Sequence, residues 1–566
     1  MVGTILFFLA TLVCSLLVIM TVLEFISMYR PHHMNEILYQ PIAPNYWPTQ
    51  KWKTSSPEEQ GVNADKLVEM IAYYHKKRLK NKSLIIDSIT IIRNEHIIAD
   101  LYFNPLFPKD KKHIINSCTK SVLSILIGIA IKEGYIKNVS VPILEIFEAT
   151  NNKKIDTRLE ALTIKDLLTM KTGWHSQDSY LYRWVGLFKM QATEDWTTYI
   201  LNLPFETSPN KRFDYSNMAS FLLSAVLTRA TGMDSLSFAQ KHLFTPLGIK
   251  DICWDQSPKG IYIGFARMWL KPHDMAKIGL LYLQKGKWEN QQIVPTTWVE
   301  ASIKAHSFPK QYRYIYKENR KIDFGKSGGN WVFSNLIRPF TDGYGYQWWL
   351  DKSGIFSAIG VGGQYIMVMP KENLIVTVTS KLTGKDSFLP VTLLKNFIIP
   401  AIETKNTLAP NQVAGEKLSS YSTAPPLQSE GTKQSFKLPS FAKEITHKVY
   451  SLKTSIASNP WMHDHLMLEF DSNLNYAVFS YTLAPNKRIR YEVGLNNQYR
   501  ISNCKDKSYA AIGKWTTPNT FIIDYELIGY SSRGKWILVF NKNEIEVTEI
   551  GMTGQYNYHG LMIKNS

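Results

Sequence analysis

Cysteine is scarce in this chain: 566 residues contain four, Cys14, Cys118, Cys253 and Cys504. Four thiols at this length do not form the disulfide framework that stabilises small secreted domains. No metal-ligand spacing is found among the cysteines and histidines, so neither a metal nor another cofactor is expected. Self-similarity with a period of roughly 20 to 50 residues is also missing, which excludes repeat architectures.

Acidic residues are outnumbered, with 47 Asp and Glu against 65 Lys and Arg, and the net charge is +18. The basic residues are scattered and no nucleic-acid-binding motif is present, so nucleic acid is not an expected partner. We interpret the charge as a lysine-rich solvated surface, with a basic patch against anionic lipid as the alternative. The hydrophobic fraction of 45% indicates a real core, and the length predicts two or more domains.

Charge is absent altogether from residues 2–23. As a helix this run is about 33 Å long, enough to cross a bilayer core of roughly 30 Å. It predicts an uncleaved transmembrane anchor within residues 1–29, with a cleaved signal peptide as the alternative. Arg30 follows the run and nothing basic precedes it, which weakly favours a cytoplasmic position for the rest of the chain.

Composition divides the remaining chain into four parts. Residues 30–53 are rich in Pro and Tyr, residues 403–439 are rich in Pro, Ser, Thr and Gln, and both are predicted linkers. Residues 54–402 have strand-like runs at both ends and helical patterns between them, which predicts an α+β domain. Residues 440–566 alternate polar and apolar residues in short runs, which predicts an all-β accessory domain, a sandwich or a small barrel.

The main candidate for chemistry is the pair Ser117 and Lys120, at the start of the apolar run Val122–Ile131. Residues three apart share one face of a helix. A hydroxyl at a helix N-terminus lies where developing negative charge is favoured, and a lysine held against an apolar helix has a lowered pKa. The pair is therefore predicted to be a nucleophile and its base. Cys118 between them is expected to be a small buried hydrophobe.

The spacing alone is not specific, because it recurs at five other serines that open no long apolar helix: Ser208, Ser307, Ser440, Ser502 and Ser532. Two downstream stretches support the first pair. Tyr215 and Asn217 precede a helical run, where a tyrosine can serve as a second proton carrier. The glycine-rich run Gly360–Gln364 begins a strand, where a backbone N–H can join that of Ser117 in an oxyanion hole. The alternatives are that Tyr215 is a packed ring at the start of the helix and that the glycines form an ordinary turn.

These three motifs in this order resemble the serine β-lactamase and penicillin-binding-protein superfamily. The chain looks closest to the class C β-lactamase-related branch that contains esterases and aminohexanoate-oligomer hydrolases. Further similar stretches are Ile164–Gly173, Asp274–Leu283 and Tyr344–Trp349, so the resemblance covers roughly residues 50–400. It implies a β-lactamase-like antiparallel sheet flanked by helices, beside an all-helical lobe, with the site in the cleft between them.

The resemblance implies that Ser117 is the acylated nucleophile, Lys120 its base and Tyr215 the proton carrier to the leaving group. Asn217 would orient the lysine or the substrate. Gly362, Gly363 and Gln364 would line the substrate-binding strand, and the N–H groups of Ser117 and about Gln364 would hold the oxyanion.

One position departs from the family: Val361 stands where members that act on carboxylate-bearing substrates carry Lys or His. The predicted function is therefore a serine hydrolase acting on a small ester or amide, with β-lactamase or peptidase activity less expected. A non-catalytic envelope protein that binds peptide or a partner is the alternative. Exported members work on the envelope side, so a periplasmic or extracellular catalytic domain anchored in the cytoplasmic membrane is expected, against the weak charge bias.

Overall fold

The computed structural model describes most of the chain. The residues described are 36–147, 156–175, 185–309, 342–404, 406–425, 438–454, 463–470, 475–483, 487–495, 497–504, 507–551 and 554–563.

The first domain contains strands β1 to β12. They are β1 Ile86–Arg93, β2 His96–Tyr102, β3 His113–Ile114, β4 Cys253–Trp254, β5 Met268–Leu270, β6 Lys287–Trp288, β7 Gln291–Gln292, β8 Gly343–Tyr344, β9 Trp349–Leu350, β10 Phe356–Gly360, β11 Gln364–Met369 and β12 Leu374–Ser380. Seven of them form one antiparallel sheet in the order β2-β1-β12-β11-β10-β9-β8. Because β1 pairs with β12, strands from the two ends of the domain lie next to each other inside the sheet.

The α-helices of the described residues are α1 Ala64–Lys80, α2 Cys118–Lys132, α3 Ile143–Ile146, α4 Ile164–Leu168, α5 Val185–Gln191, α6 Trp196–Leu201, α7 Asn217–Thr231, α8 Ser235–Ala239, α9 Pro272–Leu283, α10 Thr296–Ser302, α11 Leu389–Leu393, α12 Gln412–Ser419 and α13 Ser440–Ile445. Short 3₁₀ turns occupy Glu58–Gln60, Thr157–Leu159, Gly384–Phe388 and Ile399–Ala401, and π turns Gln240–Phe244 and Leu394–Ile398.

The sheet is covered by helices on both faces. Along β11, Ile366 and Val368 join the core formed with α2, α7 and α9, whereas Met367 and Met369 join the core formed with α1 and α11. This period of two is the expected pattern of a strand that is buried on both faces. Gly279 of α9 allows the close approach, because a Cβ there would lie 2.8 Å from Ile375 Cγ2.

The second domain is a barrel of ten strands: β13 Val449–Thr454, β14 His463–Phe470, β15 Tyr476–Leu483, β16 Lys487–Gly494, β17 Arg500–Cys504, β18 Lys507–Thr517, β19 Thr520–Leu527, β20 Arg533–Asn541, β21 Glu544–Gly551 and β22 Gly554–Met562. The order β16-β15-β14-β13-β22-β21-β20-β19-β18-β17 is closed where Gly494 of β16 pairs with Ile512 of β18. Closure removes the exposed sheet edges, and it decides between the sandwich and the barrel predicted for this region.

The residues predicted as linkers make defined contacts with the first domain. Tyr39 donates its hydroxyl to the Tyr282 carbonyl at 2.5 Å, and Trp52 Nε1 donates to the His273 carbonyl at 3.1 Å. Between the two domains, helix α12 buries Ala414 and Leu418 in the core that contains α1. The described parts of both stretches, residues 36–53 and 406–425, therefore pack onto the domain.

The predicted N-terminal transmembrane helix requires a correction. Among the residues that the structure describes, no helix is both long enough and apolar enough to cross a membrane. The apolar helix that does occur, α2, has 15 residues, and all but its last two are buried in the protein core. The predicted anchor, residues 1–29, lies outside the described ranges. The supported fold is the α+β domain followed by the barrel, and the expected cellular location stays a prediction.

Candidate active site

Ser117 is the residue at which helix α2 begins. It is the N-cap residue with φ −69° and ψ −5°, and its side chain makes no capping hydrogen bond, which leaves the hydroxyl for other partners. Asn116 before it has φ +45°, a left-handed conformation that asparagine adopts more easily than most residues. The half-buried Ser117 hydroxyl therefore lies at the positive end of a helix whose first three turns are buried.

Lys120 lies one turn further along α2, and its amine contacts the serine. Lys120 Nζ is 3.0 Å from Ser117 Oγ, 2.8 Å from Asn217 Oδ1 and 2.9 Å from the Phe265 carbonyl oxygen. The lysine is 1% exposed, so its amine is removed from bulk water and held by named partners.

Tyr215 and Asn217 lie on the chain that enters helix α7. Ser216 is the N-cap of α7 and accepts a hydrogen bond from the Ala219 N–H, which directs Asn217 into the first turn. Lys120 Nζ lies 4.9 Å from the centre of the Tyr215 ring, and that ring stacks on Trp349 at 5.6 Å. The two motifs predicted from the sequence therefore meet at one amine.

The glycine-rich run forms the turn from β10 to β11. Gly360 pairs with Gln364, while Gly362 and Gly363 have φ +92° and +80°, which only glycine adopts without strain. Ser380 Oγ lies 2.6 Å from the Gly362 carbonyl oxygen and 2.8 Å from that of Gly363. These contacts hold the turn in one conformation.

Cys118 links the nucleophile's helix to this strand. Its Sγ lies 3.6 Å from the Gln364 carbonyl oxygen, within the distance of a hydrogen bond to sulfur. The residue is fully buried, and burial raises the pKa of its thiol far above the ordinary value although Lys120 lowers it. Cys118 is thus the small buried residue that the sequence predicted.

Two participants were not predicted from the sequence. The Phe265 carbonyl is a backbone atom, so no residue type marks it; its neighbour Gly264 has no side chain and lies close to α7, where a Cβ would be 2.3 Å from the Ser220 carbonyl oxygen. The second is Gln347, whose backbone carbonyl accepts from Ser121 Oγ at 2.7 Å and whose side chain accepts from Ser220 Oγ at 3.0 Å. Gln347 connects the two helices that carry the site, and only its φ of +63° is unusual.

A serine hydroxyl at a helix N-terminus, with a buried amine 3.0 Å away, is the arrangement required by a serine hydrolase of the Ser/Lys type. Comparison with known proteins agrees with this class. Residues 77–285 match the Beta-lactamase family, and the predicted resemblance is confirmed over this range. The predicted enzyme class, a serine hydrolase of the β-lactamase type, is confirmed with it.

Among curated proteins, the 6-aminohexanoate-dimer hydrolase of Paenarthrobacter ureafaciens is 20% identical over 317 residues, which are 53% of this chain and 74% of the relative. Among solved structures, the octameric penicillin-binding protein homologue from Pyrococcus abyssi is 13% identical with a TM-score of 0.42, covering 87% of this chain and 99% of the other. EstCE1, a hydrolase with promiscuous acyltransferase activity, is 12% identical with a TM-score of 0.45, covering 59% and 99%.

Proposed function

We propose that this chain hydrolyses a neutral ester or amide through an acyl-enzyme on Ser117. The observation that carries the proposal is the position of Lys120 Nζ at hydrogen-bond distance from Ser117 Oγ, Asn217 Oδ1 and the Phe265 carbonyl oxygen. A neutral amine has two hydrogens and one lone pair. With the two acceptor oxygens taking the hydrogens, the lone pair is left for the serine hydroxyl.

In this mechanism Lys120 takes the proton as Ser117 Oγ attacks the carbonyl carbon of the substrate. The negative charge that develops on the carbonyl oxygen is held by the backbone N–H groups of Ser117 and Gln364. Tyr215, with its ring beside the amine, passes the proton that Lys120 took from Ser117 to the leaving group as the bond to it breaks, so both side chains return to their starting protonation. A water molecule, deprotonated along the same route, then releases the acyl group from the serine.

The preference for an uncharged acyl group follows from Val361. This half-buried residue stands in the turn before Gln364 and offers no charge to a carboxylate. The curated relative is named for hydrolysis of the 6-aminohexanoate dimer, which supports testing linear amides beside esters.

The test is covalent labelling with a fluorescent fluorophosphonate, which reacts with an activated serine. We expect the wild-type chain to be labelled on Ser117, and Ser117→Ala and Lys120→Ala to remain unlabelled while folded. A matched control is Ser440→Ala, because Ser440 and Lys443 have the same spacing at the start of α13 in the other domain. Labelling of the control must equal that of the wild type.

A folded wild-type chain that no fluorophosphonate labels would exclude the acyl-enzyme mechanism and leave the non-catalytic binding function. For a labelled chain, a panel of neutral p-nitrophenyl esters and anilides then separates esterase from amidase activity.

A further inference from the structure

The barrel reaches the candidate active site through the turn between β19 and β20, residues 528–532. The Gly529 carbonyl accepts a hydrogen bond from the Ile114 N–H at 2.7 Å. Gly529 has φ +77°, and a Cβ there would lie 2.5 Å from the Lys112 carbonyl oxygen, so a glycine is required for this approach. Tyr530 packs edge-on against Trp269 at 5.4 Å. The turn thus packs against residues 112–114, a few positions before Ser117 in the chain.

Ser531 at the end of this turn is 3% exposed and contacts the residue before the nucleophile. Asn116 Nδ2 lies 2.9 Å from Ser531 Oγ and 2.6 Å from the Val361 carbonyl oxygen. The side-chain amide of Asn116 therefore forms hydrogen bonds with both the barrel and the glycine-rich turn. Asn116 is also the residue directly before Ser117 in the chain. Since an amide has two N–H donors, both contacts can be made at once.

Ser531 also fills the space beside Gly362. A Cβ on Gly362 would lie 2.5 Å from Ser531 Cβ and 3.2 Å from its Oγ. The serine of the barrel thus occupies the volume that a side chain on the turn would need. Without Ser531, the outer side of the turn would lack this packing.

The barrel also contacts the chain just after β12 through a buried charge. Glu526 of β19 lies 3.6 Å from Lys381 Nζ, and Asn104 Nδ2 donates to Glu526 at 3.3 Å. Lys381 follows Ser380, whose hydroxyl contacts the carbonyls of Gly362 and Gly363. The barrel therefore packs against the glycine-rich turn through Ser531, and it contacts the residue after Ser380 through Glu526.

We propose that Ser531 of the C-terminal barrel is a positioning residue of this hydrolase, acting through Asn116 on the spacing between Ser117 and the Gln364 N–H. The inference rests on the proposed function, since it concerns the geometry of the same oxyanion hole. It assigns the barrel a direct part in activity, beyond the accessory role that the sequence suggested. A group that sets the position of an oxyanion donor affects the transition state more than the ground state.

The test measures fluorophosphonate labelling at several probe concentrations, which separates the maximal labelling rate from the half-saturating probe concentration. Ser531→Ala should lower the maximal rate roughly three- to tenfold, the range expected for one neutral hydrogen bond. The half-saturating concentration should change less than about twofold, because the bond acts on the transition state. Ser532→Ala in the same turn is the matched control and should behave as the wild type; its backbone bond to Leu527 is kept.

A double-mutant cycle with Asn116→Gly, which tolerates the positive φ, tests the route. The Ser531→Ala effect should shrink to less than about twofold in the Asn116→Gly background. If Ser531 had a merely structural role, its alanine variant would reduce the fraction of molecules that can be labelled and leave the maximal rate of the rest unchanged, and this result would overturn the proposal. Full additivity of the Ser531→Ala and Asn116→Gly effects would overturn it as well. A wild type that is never labelled overturns both proposals, whereas a labelled wild type matched by Ser531→Ala overturns this one alone.

Discussion

Lys120 and Asn217 are 97 residues apart in the chain, yet Lys120 Nζ lies 2.8 Å from Asn217 Oδ1. The contact joins the first turns of α2 and α7, the two helices whose N-termini face the site. Because an amide oxygen is neutral, it accepts a hydrogen bond from the amine without stabilising the ammonium form as a carboxylate would. The pair is therefore suited to a lysine that acts as a base.

The side chain of Asn217 can be given a negative charge with little change of its shape. Asn217→Asp places a carboxylate beside the amine, which raises the lysine pKa by about one to three units, since an opposite charge favours the charged form. The protonated fraction at neutral pH increases, so the acidic limb of the pH profile for fluorophosphonate labelling should move to higher pH. At a pH below the wild-type pKa of the lysine, labelling should fall about tenfold for each unit by which that pKa rises.

The control for this change is Asn202→Asp, which adds the same charge at an exposed position at the end of α6. Its pH profile should coincide with that of the wild type. If Asn217→Asp also retained the wild-type profile, Lys120 would not be the titrating base.

Gly363 is predicted to be indispensable for labelling. Its φ is +80°, and a Cβ would lie 2.3 Å from Ser380 Oγ, so Gly363→Ala combines backbone strain with a clash in the turn before Gln364. Gly354→Ala is a matched control, because Gly354 has φ +89° with open space around it. Each alanine costs roughly 1 to 2 kcal/mol of strain, but only the first displaces the turn.

We therefore expect similar losses of thermal stability from the strain, with labelling reduced at least about tenfold in Gly363→Ala and nearly unchanged in Gly354→Ala. Equal labelling of the two variants would show that the turn has no part in the reaction.

Asp87 and Lys381 form a fully buried ion pair, with Lys381 Nζ 3.0 Å from Asp87 Oδ1. Burial alone would raise the pKa of Asp87, but Lys381 and the hydrogen bond from His113 outweigh it and hold that pKa below the ordinary value of 3.8. Removing Asp87 leaves the buried Lys381 ammonium with the more distant Glu526 carboxylate at 3.6 Å, so Asp87→Asn should lower the free energy of unfolding of the first domain by about 3 kcal/mol, the lower end expected for a broken buried pair.

The pH dependence follows from the direction of the shift. A carboxyl with a lowered pKa in the folded state stabilises the protein above its unfolded pKa, and this contribution is lost as the pH falls through the folded pKa. The free energy of unfolding measured in urea should therefore fall more steeply with decreasing pH below about pH 4 in the wild type than in the double variant Asp87→Asn/Lys381→Met. The exposed pair Lys66 and Glu69 provides the control: Glu69→Gln should cost less than about 0.5 kcal/mol. If the free energy of unfolding had the same slope against pH in the wild type and the double variant, the pH dependence could not be assigned to Asp87.

The parts of the structure that could be predicted are those whose signal is local. Helix α2 and strands β10 to β12 are marked by apolar runs, and the hairpin of β1 and β2 by the turn residues between them. The Thr163 cap of α4 is a complete capping box with Asp166, as its sequence indicates.

What could not be predicted depends on contacts that residue types do not mark. The apolar-periodic run from Ser56 to Tyr74 predicts one capped helix, but the structure interrupts it. The 3₁₀ turn Glu58–Gln60 ends at Gly61, which has φ +67° and where a Cβ would lie 2.2 Å from the Thr404 carbonyl oxygen. Helix α1 then begins separately, after Asn63. The contact of Asn116 with Ser531 spans 415 residues and two domains, so no local pattern could reveal it.

Val361 provides the final prediction, which concerns the substrate. Its side chain is half-buried in the turn, while its backbone carbonyl accepts the Asn116 amide at 2.6 Å, so a substitution changes the side chain without removing that contact. Val361→Lys places an ammonium where a substrate carboxylate would lie, and a partly exposed charge pair is worth up to about 1 kcal/mol.

We therefore expect a fluorescent penicillin, which carries a carboxylate, to acylate Val361→Lys up to about fivefold faster than the wild type, while labelling by the neutral fluorophosphonate stays within about twofold. Val361→Met, which is long but uncharged, is the control and should not gain penicillin acylation. A gain shared by the methionine variant would trace the effect to shape, and rapid acylation of the wild type would show that carboxylate recognition does not need a cation at this position. Only a gain confined to the lysine variant makes the missing charge the reason for a neutral substrate.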